Sequence, residues 1–160
     1  MSSLTLAHAV LSLIGIASGF LVLLGMFSAK NWPGLTALFL GTTILTSVTG
    51  FFFPFHKLLP SHILGILSLI ALAVACLALY GRHLAGGWRR RYVISAVISL
   101  YFNVFVLIAQ AFIKVPALHA LSPTQTESPF KIAQGITLLL FIIFGVLAVR
   151  TFRGASLLPS

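Results

Sequence analysis

The chain has 160 residues, 59% of them hydrophobic and only 7% charged, with ten Lys and Arg against one acidic side chain, Glu127, and a formal net charge of +9. At a mean hydropathy of +1.13 there is too little polar sequence to cover a water-surrounded core of this size, which excludes an ordinary soluble globule. A nucleic-acid binder would need a basic face on a water-exposed domain, and a single carboxylate cannot supply both acid and base to a hydrolase.

A helix rises about 1.5 Å per residue, so crossing a hydrocarbon layer of about 30 Å takes about 20 apolar residues. Five runs meet that length: Leu6 to Phe27, Leu35 to Phe53, His62 to Tyr80, Tyr92 to Ile113 and Ile132 to Val149. They are too long and continuous for barrel strands, which are segments of about 10 residues with alternating polarity. Pro33-Gly34, Pro54, Pro60, Gly86-Gly87, Pro116, Pro123 and Pro129 punctuate the runs, as helix breakers do. The expected fold is all-α: one integral membrane domain over residues 1–160, a five-helix polytopic bundle. The connections are short except that from Lys114 to Lys131, so consecutive helices should be antiparallel neighbours.

The first run opens at His8, in HAVLSLIGIASGFLVLLG, and reaches Trp32; the third opens at His62, in HILGILSLIALAVACLAL, and reaches Trp88. The first four helices therefore read as two repeated hairpins with a fifth helix added. At about 100° per residue, His8, Ser12, Gly15, Gly19 and Met26 share one face of the first helix, and His62, Gly65, Ala73, Cys76 and Tyr80 one face of the third. Gly15 and Gly19 in GIASG fit a close helix approach. Helix two presents Thr42, Thr46 and Thr49 on one face, and Cys76, alone of its kind, permits no internal disulfide.

Helix four carries a polar stripe of Tyr92, Ser95, Ser99, Asn103, Gln110 and Lys114 within an arc of about 100°. Such a stripe cannot face hydrocarbon; its amides must bond to neighbouring helices or line a wet cavity. Gln134 and Thr137 on helix five are candidate partners. In the bundle-glue reading these groups make interhelical hydrogen bonds.

Short cytoplasmic loops retain Lys and Arg. Lys30, Arg82, Arg89, Arg90, Arg91, Arg150 and Arg153 fall in one set of alternate loops, and Lys57, Lys114 and Lys131 in the other, seven against three. That bias puts the Gly81 to Arg91 loop and the C-terminus in the cytoplasm and the N-terminus outside. The uncharged start MSSLTLAHAV lacks the basic opening of a cleaved leader, so the first helix is expected to be retained. Trp88, Arg89, Arg90 and Arg91 are assigned to anionic lipid headgroups.

The outer side then gathers His8, His56, Lys57, His62, Lys114, His119 and Glu127, with His83 on the inner side. Three functions follow from this constellation. One is a pocket for a small amphiphile, quinone-like or anionic, with Asn103, Gln110, Lys114, His119 and Gln134 as ligand-binding residues. Another is a haem b or metal centre held by His8 and His62 from two equivalent helices. The third is a non-catalytic accessory subunit that docks a membrane partner or a second copy through WRRR or SPTQTESPF. No GxSxG or HExxH occurs, and an enzyme is not indicated.

The run from FPFHKLLPSHILG through YFNVFVLIAQAFIKVPALHALSPTQTESPF resembles a group of bacterial multi-pass inner-membrane proteins of unassigned activity. The resemblance covers most of residues 50–150 and implies a bacterial inner membrane and the five-helix layout, with no cofactor or catalytic residue. The histidine-led hairpins are also similar to small haem-binding four-helix membrane proteins, from which this sequence departs by lacking a second intramembrane histidine pair.

Overall fold

The computed structural model describes residues 3–53 and 60–154; Pro54, His56 and Lys57 lie outside them. The chain forms α1 (Ser3–Phe27), α2 (Pro33–Gly50), α3 (Pro60–Cys76) continued by a π-turn over Leu77–Gly81, α4 (Trp88–Lys114), the short α5 (Pro116–Leu121) and α6 (Ser128–Thr151). No strand occurs among the described residues. Four helical stretches are long and apolar enough to cross a membrane: Ser3–Phe27, His62–Gly81, Trp88–Lys114 and Ser128–Thr151. The helix at the remaining expected span, α2, has 18 residues, and its five threonines, its serine and its Pro33-Gly34 start dilute its apolar character below the other four.

Two expectations about helix ends are corrected. Pro33, Pro116 and Pro129 occupy the first turns of α2, α5 and α6, where the missing N–H has no helical acceptor to lose, so these prolines start helices. WRRR is likewise the first turn of α4, because Trp and Arg have no objection to helix once Gly86-Gly87 has turned the chain.

The outside of the bundle is greasy. Leu6, Leu13, Ile63, Ile70, Ile132, Ile136, Leu139 and Ile142 are each more than half exposed, and α6 fully buries only Gln134, Phe141 and Ala148. A continuous apolar coat of this kind is stable only against another apolar phase. Inside, α1 packs on α2 and α3 on α4, while α4 touches every other helix. The helix with the polar stripe is thus the central one.

The apolar core fills one half of the bundle's length. Val22 and Met26 of α1, Phe39 of α2, Leu72 and Ala75 of α3, Tyr92, Val93 and Leu100 of α4 and Phe141 of α6 form one buried cluster. Gly15 and Gly19 let α1 reach it. A Cβ at Gly15 would lie 3.1 Å from Thr43 Oγ1 and 3.5 Å from Asn103 Nδ2, and one at Gly19 would lie 2.6 Å from Leu100 Cδ1. The face expected for α3 is corrected. Ala73 and Tyr80 point outward, and the buried residues are His62, Ser68, Leu72, Ala75, Ala78 and Leu79. The π-turn, closed by Arg82 N–H donating to Leu77 O at 2.8 Å, resets the helical phase at Tyr80.

At the arginine end, Arg89 donates through Nη1 to the carbonyls of Val149 (3.2 Å) and Phe152. It thereby satisfies acceptors that the end of α6 leaves unpaired. Thr151 Oγ1 donates to Met26 O at 3.0 Å, tying α6 to α1. Arg82 and Arg91 stack on Trp88 at 5.3 and 4.5 Å from its ring, a cation–π arrangement.

Beyond α5 the carboxylate of Glu127 organises the turn before α6. It accepts from Ser122 Oγ (2.6 Å), Thr124 Oγ1 (2.8 Å), Thr124 N–H (3.3 Å) and Thr126 N–H (3.1 Å). The Ser122 hydroxyl first, then that of Thr124, hold its pKa down to about 2 from 4.5, since hydrogen bonds to the charged form favour it. Because the folded value is the lower one, the contribution is complete above about 4.5 and is lost as pH falls towards 2. The amide resonances of Thr124 and Thr126 are therefore expected to titrate with a midpoint near 2, whereas a midpoint near 4.5 would mean that the turn is not built on this carboxylate.

Candidate functional site

The half of the bundle away from the arginines is hollow. A cavity of about 550 Å³ is bounded by α1, α2, α3 and α4, and His8, His62, Asn103, Gln110 and Lys114 all line it. Its apolar wall includes Phe51, Phe53, Phe102 and Leu107. The antiparallel arrangement produces this convergence: α1 and α3 begin here, while α2 and α4 end here. Small side chains leave the space, among them Ala9, Ser12, Gly50, Gly65 and Ser68.

Each polar group has a defined setting. Thr49 Oγ1 donates back to Leu45 O at 2.7 Å, so its oxygen is left to accept at the 2.9 Å contact with His8 Nδ1. That assigns the proton of neutral His8 to Nδ1 and a lone pair to Nε2. The His8 ring stands edge-on to Phe53 at 5.2 Å. His62 is buried and lies 5.9 Å from the Phe51 ring. Asn103 Nδ2 donates to Thr43 Oγ1 at 3.2 Å, joining α4 to α2, and Ser47 donates to Ser68 at 3.3 Å, joining α2 to α3. The stripe on α4 runs from buried Tyr92, Ser95 and Ser99, through half-buried Asn103, to exposed Gln110 and Lys114 at the cavity.

The expected ligand set is therefore assembled in part. Asn103, Gln110 and Lys114 come together with both histidines. His119 is exposed on α5 and does not line the cavity, and Gln134 is buried between α6 and α4, donating to Phe105 O at 3.0 Å. The Gln134 Oε1 atom has no partner among the described residues. Of the headgroup residues, Arg89, Arg91 and Trp88 are engaged as described above, while Arg90 is exposed beside α6. The interhelical glue is thinner than expected, because most hydroxyls bond within their own helix: Thr42 to Leu38 O, Thr46 to Thr42 O, Ser99 to Ser95 O and Thr137 to Ala133 O.

Among the described residues no three His, Cys, Asp or Glu side chains are grouped as a metal ion would require. Sequence reasoning missed Thr43, Ser47, Ser68 and Phe102. The density of threonine and serine on α2 was the available signal for the first two; nothing in the local pattern marked the others. No family model matches the chain, nor does any curated protein or solved structure.

Proposed function

We propose that the chain is a non-catalytic five-span bundle of a bacterial inner membrane that binds a small amphiphile in the cavity at its outer end. The observation that carries this reading is the convergence of His8, His62, Asn103, Gln110 and Lys114 on one space of about 550 Å³ with an aromatic and aliphatic wall. A polar group at Lys114 and Gln110 with an apolar tail among Phe51, Phe102 and Leu107 matches the mixed lining such ligands need. For the fifth span, α2 is about 27 Å long at 1.5 Å per residue. It exposes Leu38, Leu45 and Val48 outward, and its Thr42, Thr46 and Thr49 hydroxyls are bonded within the helix. The packing of α1 on α2 and of α3 on α4, with a histidine from each pair in one cavity, supports a duplicated hairpin. The basic residues opposite the cavity support an inward arginine end.

The test is titration of the detergent-solubilised chain with a decyl-tailed ubiquinone and, separately, with dodecanoate. Saturable binding at one site is the expected result; uptake no different from protein-free micelles overturns the reading.

A second reading is haem ligation. The Nδ1–H of His8 donated to Thr49 leaves Nε2 free to ligate, with the supporting hydrogen bond that ligating imidazoles use, and His62 lines the same cavity. The chain purified from haem-supplied cells would show a Soret band under this reading, lost in His8→Ala. A colourless preparation removes it.

A further inference from the structure

We infer that a second site, on the flank of the bundle between α4 and α6, holds one acyl chain of an anionic phospholipid, with its phosphate on Arg90 and Arg150. It rests on the chain being a membrane bundle and is independent of any ligand in the His8 cavity. The groove has about 550 Å³ of space and an almost wholly apolar lining, Ile94, Ile98, Leu138, Ile142 and Val146 among others, and among the described residues Arg90 and Arg150 are the only charged ones on it. From Arg90 to Tyr101, eleven residues of helix cover about 16 Å, close to half of a hydrocarbon core of about 30 Å. The groove thus matches the depth of one leaflet, and its charges stand where that leaflet's phosphates lie.

The charge balance selects the headgroup. Arg89 is bonded to α6 carbonyls, and Arg82 and Arg91 stack on Trp88. Arg90 and Arg150 are exposed and hydrogen-bond to no described residue through their side chains. The chain's one acidic residue, Glu127, precedes the first turn of α6, whereas Arg150 occupies its last, so about 34 Å of helix separates them. Glu127 therefore cannot pair with the two guanidiniums. A phosphate without a compensating ammonium fits them, and guanidinium binds such oxygens through paired donors. Each basic side chain near an anionic surface is expected to raise affinity about fivefold.

The probe is native mass spectrometry of the full chain released from micelles holding equal phosphatidylglycerol and phosphatidylcholine. Wild type is expected to retain phosphatidylglycerol preferentially, and Arg90→Gln with Arg150→Gln to reduce its retention about 25-fold. Lys30→Gln with Arg153→Gln, an equal loss of charge off the groove, is expected to change little. Ile98→Trp with Ile142→Trp, which fills the groove and keeps the charges, is expected to lower retention of the lipid. Excess inorganic phosphate should not displace it. Equal retention of the two lipids by wild type, an equal loss in the Lys30 and Arg153 pair, no effect of filling the groove, or displacement by phosphate would each overturn the inference. Flotation with vesicles separates this failure from that of the membrane reading: a chain that floats without lipid preference loses only the groove, and one that stays behind loses both.

Discussion

Gly19→Leu is expected to abolish the folded bundle, with Gly19→Ala intermediate and Gly41→Ala harmless. Gly19 lies where α1, α2 and α4 meet, and a Cβ there would come within 2.6 Å of Leu100 Cδ1 and 2.8 and 2.9 Å of the Phe39 ring. Leu100 and Phe39 are each 1% exposed, so neither has empty space to move into. Overpacking by even one methyl in such a setting costs about 1–3 kcal/mol, against which the gain in helix propensity over glycine is roughly 1 kcal/mol or less. Three further carbons exceed what a marginal fold of about 5–15 kcal/mol tolerates without pulling α1 away. Gly41 faces open space, with nothing within 4 Å of its would-be Cβ. Thermal unfolding in mild detergent, followed by size exclusion, checks the series. A Gly19→Leu chain that stays monodisperse and melts with wild type would show that the three helices do not cross there.

Filling the cavity is expected to remove amphiphile binding altogether, and neutralising its rim to weaken binding selectively. Ser12 lines the cavity from a half-buried position on α1, so Ser12→Trp projects an indole into the space that the ligand tail would take. Saturable binding of both the quinone and dodecanoate should then disappear. Lys114→Gln keeps a hydrogen-bond donor and removes the charge. Since Lys114 is exposed, its interaction is screened, and a loss of about 1 kcal/mol, roughly fivefold, is expected for dodecanoate. The uncharged quinone should be affected less, and Lys114→Arg should restore the anion. Equal weakening of both ligands by Lys114→Gln would argue that the lysine shapes the cavity and does not contact the anion.

Much of this architecture was legible because bilayer helices announce themselves by length and apolar content. The helix positions follow from the runs to within a few residues, and the stripe on α4 marked a seam in which Tyr92, Ser95 and Ser99 are buried while Gln110 and Lys114 are exposed at the cavity. The small face of α1 was legible too: a row of Gly, Ser and His can only suit a close neighbour. What stayed hidden depends on registry between helices. Nothing local shows that Thr43 accepts from Asn103, or that Gln134 sits against Phe105 and not in the cavity with Gln110. The face assigned to α3 missed for want of registry too: the inward row there is Ser68, Leu72 and Ala75, which leaves Ala73 outside before the π-turn at Leu77–Gly81 is reached. The arginines read as a uniform headgroup cluster, yet their first-turn position on α4 sends Arg89 and Arg90 in different directions. His119 lay on the right side by sequence, but α5, unexpected in that connection, presents it to the exterior.

The arginine end and the cavity end are expected on opposite faces of one membrane. Labelling of single cysteines in a Cys76→Ala background with an impermeant maleimide, on intact bacterial cells and on inverted membranes, tests this directly. Gly86→Cys should react only in inverted membranes and His119→Cys only in intact cells. Labelling of both residues from the same face would contradict the antiparallel spanning arrangement, and with it the position of the cavity.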